Sequence, residues 1–186
     1  MNVYDFDKTI YIHDSSVDFI KHCIFKYPAC LKDLPRLGVT ALGFALKICK
    51  RETFKQCCFS LLRHVPDVDK EVDIFWNKHI GGIKKYYLQQ KQPDDLVISA
   101  SPDFIIDNIC GRLGIKAISS SLDPKTGKLL RPNCWGEEKV VRFHEFYTDD
   151  MVDEFYSDSY SDTPMAKLSK KAFIVKGEKL LPWQFK

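Results

Sequence analysis

Asn2-Val3-Tyr4-Asp5-Phe6-Asp7-Lys8-Thr9 is a short apolar run that ends on two carboxylates spaced i, i+2. Residues 2–5 have the pattern of a brief strand, and the polar residues after them mark its stop. Side chains at i and i+2 lean to the same side of an extended chain. Two close carboxylates repel, so one holds a proton or a cation lies between them. Either outcome is useful. One carboxylate can serve as nucleophile and its neighbour as general acid/base, with a metal lowering the local negative potential. The simpler alternative is an acidic turn that caps a helix. Position argues against it, because parallel strands end at the crevice where α/β proteins hold ligands.

Downstream of residue 94, strand and helix alternate. Leu96–Ser99 (LVIS) has the pattern of a buried strand, and Pro102 suits the first turn of a helix that Gly114 ends. Lys116–Ser119 is strand-like, and the turn Asp123-Pro124-Lys125-Thr126-Gly127 makes 119–131 a candidate hairpin. A helix is predicted over Glu137–Tyr147, and strands over Glu154–Tyr156 and Ala172–Val175. This alternation predicts an α/β, Rossmann-like core with a mainly parallel sheet to which the first strand belongs. Residues 15–91 read as helical throughout. The predicted segments are a helix capped by Ser15 or Ser16, an apolar stretch Leu31–Lys50, a helix over Glu52–His64 and one over Val68–Gln90 broken at Gly81-Gly82. The expected organisation is therefore a core of residues 1–14 and 92–186, with an all-helical cap, 15–91, inserted after the first strand.

Composition narrows the function classes. The 186 residues are 45% hydrophobic and 28% charged, which excludes a disordered or low-complexity chain. No apolar run is long enough for a membrane span. From Lys21 to Lys91 there are fourteen Lys/Arg against six Asp/Glu, a net +8, within a chain whose total is +3. A basic and an acidic segment suggest two sub-structures, or simply a Lys-rich solvated helical surface. The seven cysteines include no CxxC pair and have no histidine at ligand spacing, so they read as reduced thiols in the cytoplasm rather than a zinc site. The composition sets no oligomeric state.

Three further signals follow in order. Ser99 closes the second strand, where a hydroxyl and free backbone N–H groups make an anion cradle; Ser101 beside Pro102 could instead be a helix cap. Lys139 stands in the first turn of its helix, where a cation is mismatched with the helix dipole unless an anion holds it. Asp158 and Asp162 follow the Glu154–Tyr156 strand and offer hard oxygen ligands suited to Mg²⁺, or again a capped helix start. Each has an ordinary explanation, but together they bring carboxylates and anion-holding groups to the strand ends of one sheet.

Taken together, DFDKT, the serine of LVISAS, the lysine of GEEK and DSYSD resemble the four motifs of the haloacid dehalogenase superfamily of phosphohydrolases. They are most similar to its phosphoserine-phosphatase-like branch (subfamily IB), whose small helical cap lies between the first two motifs. The resemblance implies that Asp5 attacks phosphorus and becomes an aspartyl-phosphate. It implies that Asp7 protonates the leaving alcohol and then deprotonates water. Mg²⁺ would be held by Asp5, the Asp7 carbonyl and Asp158, with Asp162 supporting them. Ser99 and the Ala100 N–H would hold phosphate oxygens, and Lys139 would neutralise Asp5 and the phosphate. Where phosphoserine phosphatases have a glutamate that meets the substrate amine, this chain has the shorter Asp14, a candidate specificity residue. Arg51 and Arg63 are both candidates for the cap arginine.

The leading expectation is a Mg²⁺-dependent phosphatase acting on a small phosphoserine-like metabolite. One alternative is a lipid-phosphate phosphatase resembling phosphatidylglycerophosphatases, its basic and apolar cap in peripheral contact with an anionic membrane. The non-enzyme alternative is a polyanion-binding module using the basic segment. Nucleic acid is not the expected partner, because such a module has no need of four acids at strand ends.

Overall fold

The computed structural model describes residues 1–148 and 151–185. Its centre is a six-stranded sheet in the order β3-β2-β1-β4-β5-β6. The strands are β1 (Asn2–Tyr4), β2 (Leu96–Pro102), β3 (Lys116–Ser120), β4 (Glu154–Ser157), β5 (Lys171–Lys176) and β6 (Lys179–Pro182). β1 to β5 pair in parallel, and β6 returns antiparallel along β5. The α/β reading is borne out. β6 was not foreseen: it arises from a tight turn at Gly177, whose φ of 61° suits glycine.

The pleat sends alternate side chains to two cores. Val3, Leu96, Ile98, Phe155 and Ile174 face one side, under α7 (Glu137–His144) and α8 (Thr163–Ala166). Tyr4, Val97, Tyr156 and Val175 face the other. There Tyr87, Tyr4, Tyr156 and Phe173 form a continuous aromatic row across the strands, with successive centroids 5.0, 4.5 and 5.1 Å apart. Such contacts contribute about 0.5–1.5 kcal/mol each beyond their buried area.

This second face is covered by α1 (Ser15–Lys26), α4 (Val68–His79), α5 (Lys85–Gln90) and α6 (Asp103–Leu113). The insertion therefore shares its core with the sheet. Trp76 of α4 is fully buried, donates from Nε1 to the Ile105 carbonyl at 2.9 Å and sets its ring edge against Phe6. Gly82 breaks the α4–α5 run as expected, and a Cβ there would lie 2.6 Å from the Tyr11 ring.

α2 (Leu34–Ala45) and α3 (Arg51–Phe59) form an arm in which Phe59 alone is buried. The apolar stretch 31–50 is shorter as a helix than expected. A 3₁₀ turn over Pro28–Asp33 precedes α2, since Pro28 and Pro35 each favour a fresh helix start. α7 likewise stops at His144 rather than Tyr147. The candidate hairpin is shorter than expected: the Leu122–Leu129 bridge is flanked by the Asp123 N–H to Lys128 carbonyl and Leu130 N–H to Ser121 carbonyl bonds, and Asp123 ties the turn through Lys125 N and Thr126 Oγ1.

Candidate active site

The Asp5 N–H donates to the Tyr156 carbonyl at 2.8 Å, extending the β1–β4 ladder to the first acid. The chain then folds back. The N–H groups of Thr9, Ile10 and Tyr11 all donate to the Phe6 carbonyl, and Lys8 takes a φ of 57°. Phe6 is pinned in the core while Asp5 and Asp7 turn to the opposite side, as the i, i+2 spacing requires.

Lys139 is 1% exposed, and its Nζ donates to Asp5 Oδ1 and Asp162 Oδ2, each at 2.8 Å. This explains a cation in the first turn of α7: two carboxylates from other strand ends hold it there. Asp162 is not the side-chain cap of α8 but is buried, and its Oδ2 also accepts from Ser157 Oγ at 2.8 Å. Thr9 Oγ1 donates to Asp5 Oδ2 at 3.3 Å and accepts from the Asp158 N–H at 2.9 Å, joining the loops after β1 and β4.

Asp7 is held from two sides, by the Ser15 N–H on Oδ1 at 2.7 Å and Ser101 Oγ on Oδ2 at 2.5 Å. The sequence offered Ser101 as a helix cap; Pro102 takes that position and the Ser101 hydroxyl goes to Asp7. Buried Ser99 accepts from the Ser101 N–H at 3.1 Å and lines the cleft beside Ala100. From α3, Lys55 Nζ reaches the Ala100 carbonyl at 2.5 Å and Asn133 Oδ1 at 2.7 Å. Asp5, Asp7, Asp14, Ser99, Lys139 and Asp158 thus border one cleft of about 230 Å³. Arg51 borders it too, its guanidinium 4.7 Å from the Trp135 ring centroid. Arg63 does not; it pairs with Asp33 at the far side of the insertion.

The model of haloacid dehalogenase-like hydrolases matches residues 3–167. The chain belongs to that family. A protein of unknown function from Bordetella pertussis superposes with a TM-score of 0.75 at 16% identity, over 94% of this chain and 88% of that one. A hydrolase of the same family from Salmonella enterica gives 0.68 at 11% identity, over 91% and 60%. A probable phosphoserine phosphatase from Vibrio cholerae gives 0.66 at 15% identity, over 91% and 54%. These likenesses are of fold. No curated protein matches the sequence significantly.

In this hydrolase, burial dominates the electrostatics of the cleft. It pushes the Asp5 carboxyl up to about 7, with Lys139 opposing and Asp162 and Asp7 adding to the rise. Asp7 is pushed up to about 6 by burial and by Asp14, against the hydrogen bonds from Ser101 and Ser15. Asp158 is raised by burial as well. Burial works to lower Lys139, but Asp162 and Asp5 together hold it above the ordinary lysine range. Burial brings Lys55 down to about 8.

Among the described residues no three Asp, Glu, His or Cys side chains form a ready cation site. The family resemblance asks for only two carboxylates and one carbonyl, all hard oxygens. Asp5, Asp7 and Asp158 border the same cleft, and burial raises the carboxyls of Asp5 and Asp158, a strain that a bound cation relieves. The donors therefore fit Mg²⁺.

Sequence reasoning left Thr9 and Lys55 without roles and read Ser101 only as a helix cap. Thr9 lay inside the quoted motif, and Ser101 follows Ser99 at the i, i+2 spacing that puts both on one side of β2. Lys55 carried no local signal; its partners lie 45 and 78 residues away.

Proposed function

We propose that the chain is a Mg²⁺-dependent phosphomonoester hydrolase working through an aspartyl-phosphate on Asp5. The observation that carries this reading is the buried Lys139 ammonium fixed between Asp5 and Asp162, with Asp7 clamped beside it in the same cleft. Asp5 attacks phosphorus; the Asp5 O–P bond forms as the bond to the leaving oxygen breaks. Asp7 gives its proton to that oxygen, then takes one from the water that releases inorganic phosphate and restores the Asp5 carboxylate. Ser99 Oγ and the Ala100 N–H hold phosphate oxygens, and Lys139 offsets the charge that spreads over them. Asp5, the Asp7 carbonyl and Asp158 would hold Mg²⁺, with Asp162 supporting them. The ion supplies charge neutralisation at the phosphoryl group.

The proposed division is a core of 1–14 and 92–186 and a cap of 15–91, whose α3 presents Arg51 to the cleft. Asp14 is the proposed specificity residue, and the proposed substrate is a small phosphorylated metabolite. Seven unpaired thiols support a reducing compartment such as the cytoplasm. Among the described residues no helix is long and apolar enough to cross a membrane.

The test is turnover of a chromogenic aryl phosphate between pH 5 and 9. Activity is expected to vanish in chelator, return with Mg²⁺ but not Ca²⁺, and fall by roughly 10³-fold or more in Asp5→Asn with the fold intact. Absence of turnover, or turnover that survives Asp5→Asn, overturns the reading.

A lipid phosphate is the second reading, favoured by one observation. α2 and the turn after it expose Val39, Leu42, Leu46 and Ile48 beside Arg36, Lys47 and Lys50, with no acid from 34 to 51. Flotation with anionic vesicles decides: bound protein supports it, and protein left at the bottom removes it.

A further inference from the structure

A second cavity, also about 230 Å³, opens behind the catalytic cleft and shares Asp7, Asp14, Arg51 and Ala100 with it. Its lining is divided between polar groups, among them Asp14, Arg51, Lys55 and Asn133, and a cluster of apolar side chains. Val17 and Ile20 of α1 face Phe44 of α2 and Phe54 and Phe59 of α3. The Phe44 and Phe54 rings stack at 5.1 Å and within 5° of parallel, so the α2–α3 arm closes the chamber with a flat aromatic surface.

Several polar groups around this chamber are positioned by the protein. Asp14 Oδ1 accepts from the Val17 N–H at 2.9 Å as the N-cap of α1. Ser16 Oγ lies 2.7 Å from Ser101 Oγ. Two of the three N–H bonds of the Lys55 ammonium go to Ala100 and Asn133. The Arg51 guanidinium rests on Trp135. A compact zwitterion such as serine would meet only the polar rim that Asp14, Arg51 and Lys55 form, and would leave the apolar side of the chamber uncovered. By contrast, Val17 is 45% exposed, and Ile20, Phe44 and Phe54 are only part-buried although they face a concave wall. Apolar surface left open beside a reacting centre gains by taking apolar carbon out of water.

We propose that this chamber is the leaving-group subsite, and that it selects phosphate monoesters of apolar alcohols or phenols over phosphorylated amino acids. The inference rests on the phosphatase reading above for its chemistry but on the chamber alone for its selectivity. The ester could be a free metabolite or a lipid headgroup; both present the same phosphate on an apolar carbon.

The experiment compares methyl, ethyl, propyl and butyl phosphate with phosphoserine as substrates of the Mg²⁺-loaded protein. Binding of the matching alkylphosphonates is measured by calorimetry in parallel. Each methylene buried is expected to raise kcat/KM, and phosphonate affinity, about fourfold. Phe54→Ala and the more exposed Val17→Asn are each expected to flatten that slope, chiefly through KM, because a chain held equally in ground and transition states does not change kcat. Dihexanoyl phosphatidic acid, as monomers and in vesicles, separates the two sources; turnover at or above the butyl phosphate rate in either form supports the subsite. Turnover that is flat along the alkyl series, or that favours phosphoserine tenfold over butyl phosphate, overturns the subsite and leaves the phosphatase reading standing. Phosphonate binding that rises with chain length without any turnover does the reverse. Flat binding with no turnover removes both.

Discussion

The proposed catalytic crevice and the α2–α3 arm border two adjoining cavities, yet they are built on opposite principles. In the crevice, Asp5, Lys139 and Asp162 are buried, cross-linked at 2.8 Å and fixed to three different strand ends or helix starts. In the arm, α2 buries no residue and exposes Val39, Leu42 and Leu46. It is tied to α3 and the turn after it by the Phe44–Phe54 stack, a Thr40 Oγ1 bond to Cys57 Sγ at 3.3 Å and an Arg36 bond to Ser60. Preorganised charge must not move while a phosphoryl group transfers. A wall that admits and releases substrate draws on the low-stability end of the fold. One chain supplies both by placing its charges at the sheet and its spare apolar surface on the insertion.

The comparison is broken most severely at Lys139. In Lys139→Met, Asp5 and Asp162 lose their shared cation while still buried, and stability in chelator is expected to fall by about 3–5 kcal/mol in urea melts. Lys139→Met/Asp162→Asn is expected to recover part of that loss, since one of the orphaned charges is gone. A fall below about 1 kcal/mol in the single variant means the ammonium is better solvated than its burial implies. Thr9→Val comes next. It strips the Asp158 N–H of its acceptor and removes a donor from Asp5, and a loss of about 1–3 kcal/mol is expected. Leu42→Ser on the exposed face of α2 is expected to change stability by less than about 0.5 kcal/mol. A larger loss there would show α2 packed in solution and erase the contrast.

Much of the crevice was legible because its residues are announced by position along strands. Asp5 and Asp158 each stand just past a strand end, and a buried parallel sheet leaves runs such as Val97-Ile98 that are hard to misplace; Ser99, expected to close the second strand, lies inside it, because β2 runs on to Pro102. Lys139 was visible as a charge at the wrong end of a helix. The acids that hold it lie 134 residues before and 23 after, and no local pattern encodes such pairs. The arm was harder. An apolar stretch such as 34–46 predicts burial by its composition, but α2 has none, because tertiary neighbours rather than propensity decide burial. β6 escaped notice because Lys179-Leu180-Leu181-Pro182 is too short and mixed to show a period, and it is half-exposed as an edge strand.

The smallest effect sharpens the comparison where arm and crevice touch. Lys55 sits on α3 yet donates to Ala100 and Asn133 at the crevice, and burial lowers it from the ordinary 10.5 to about 8. The folded chain therefore releases this proton at a lower pH than the unfolded chain does. Between about pH 8 and 10.5 the unfolded state binds more protons, so this residue's contribution to stability rises with pH across that window. Below pH 8 both states carry the proton, and the desolvated ammonium holds the fold at its lower stability. Subtracting the Lys55→Met melt from wild type, pH by pH up to 9.5, isolates the contribution from the buried tyrosines, which ionise higher. A difference that climbs with pH means the arm is seated on the crevice, excluding water from Lys55. A flat difference means that the arm stands open in solution and Lys55 titrates as a solvated lysine.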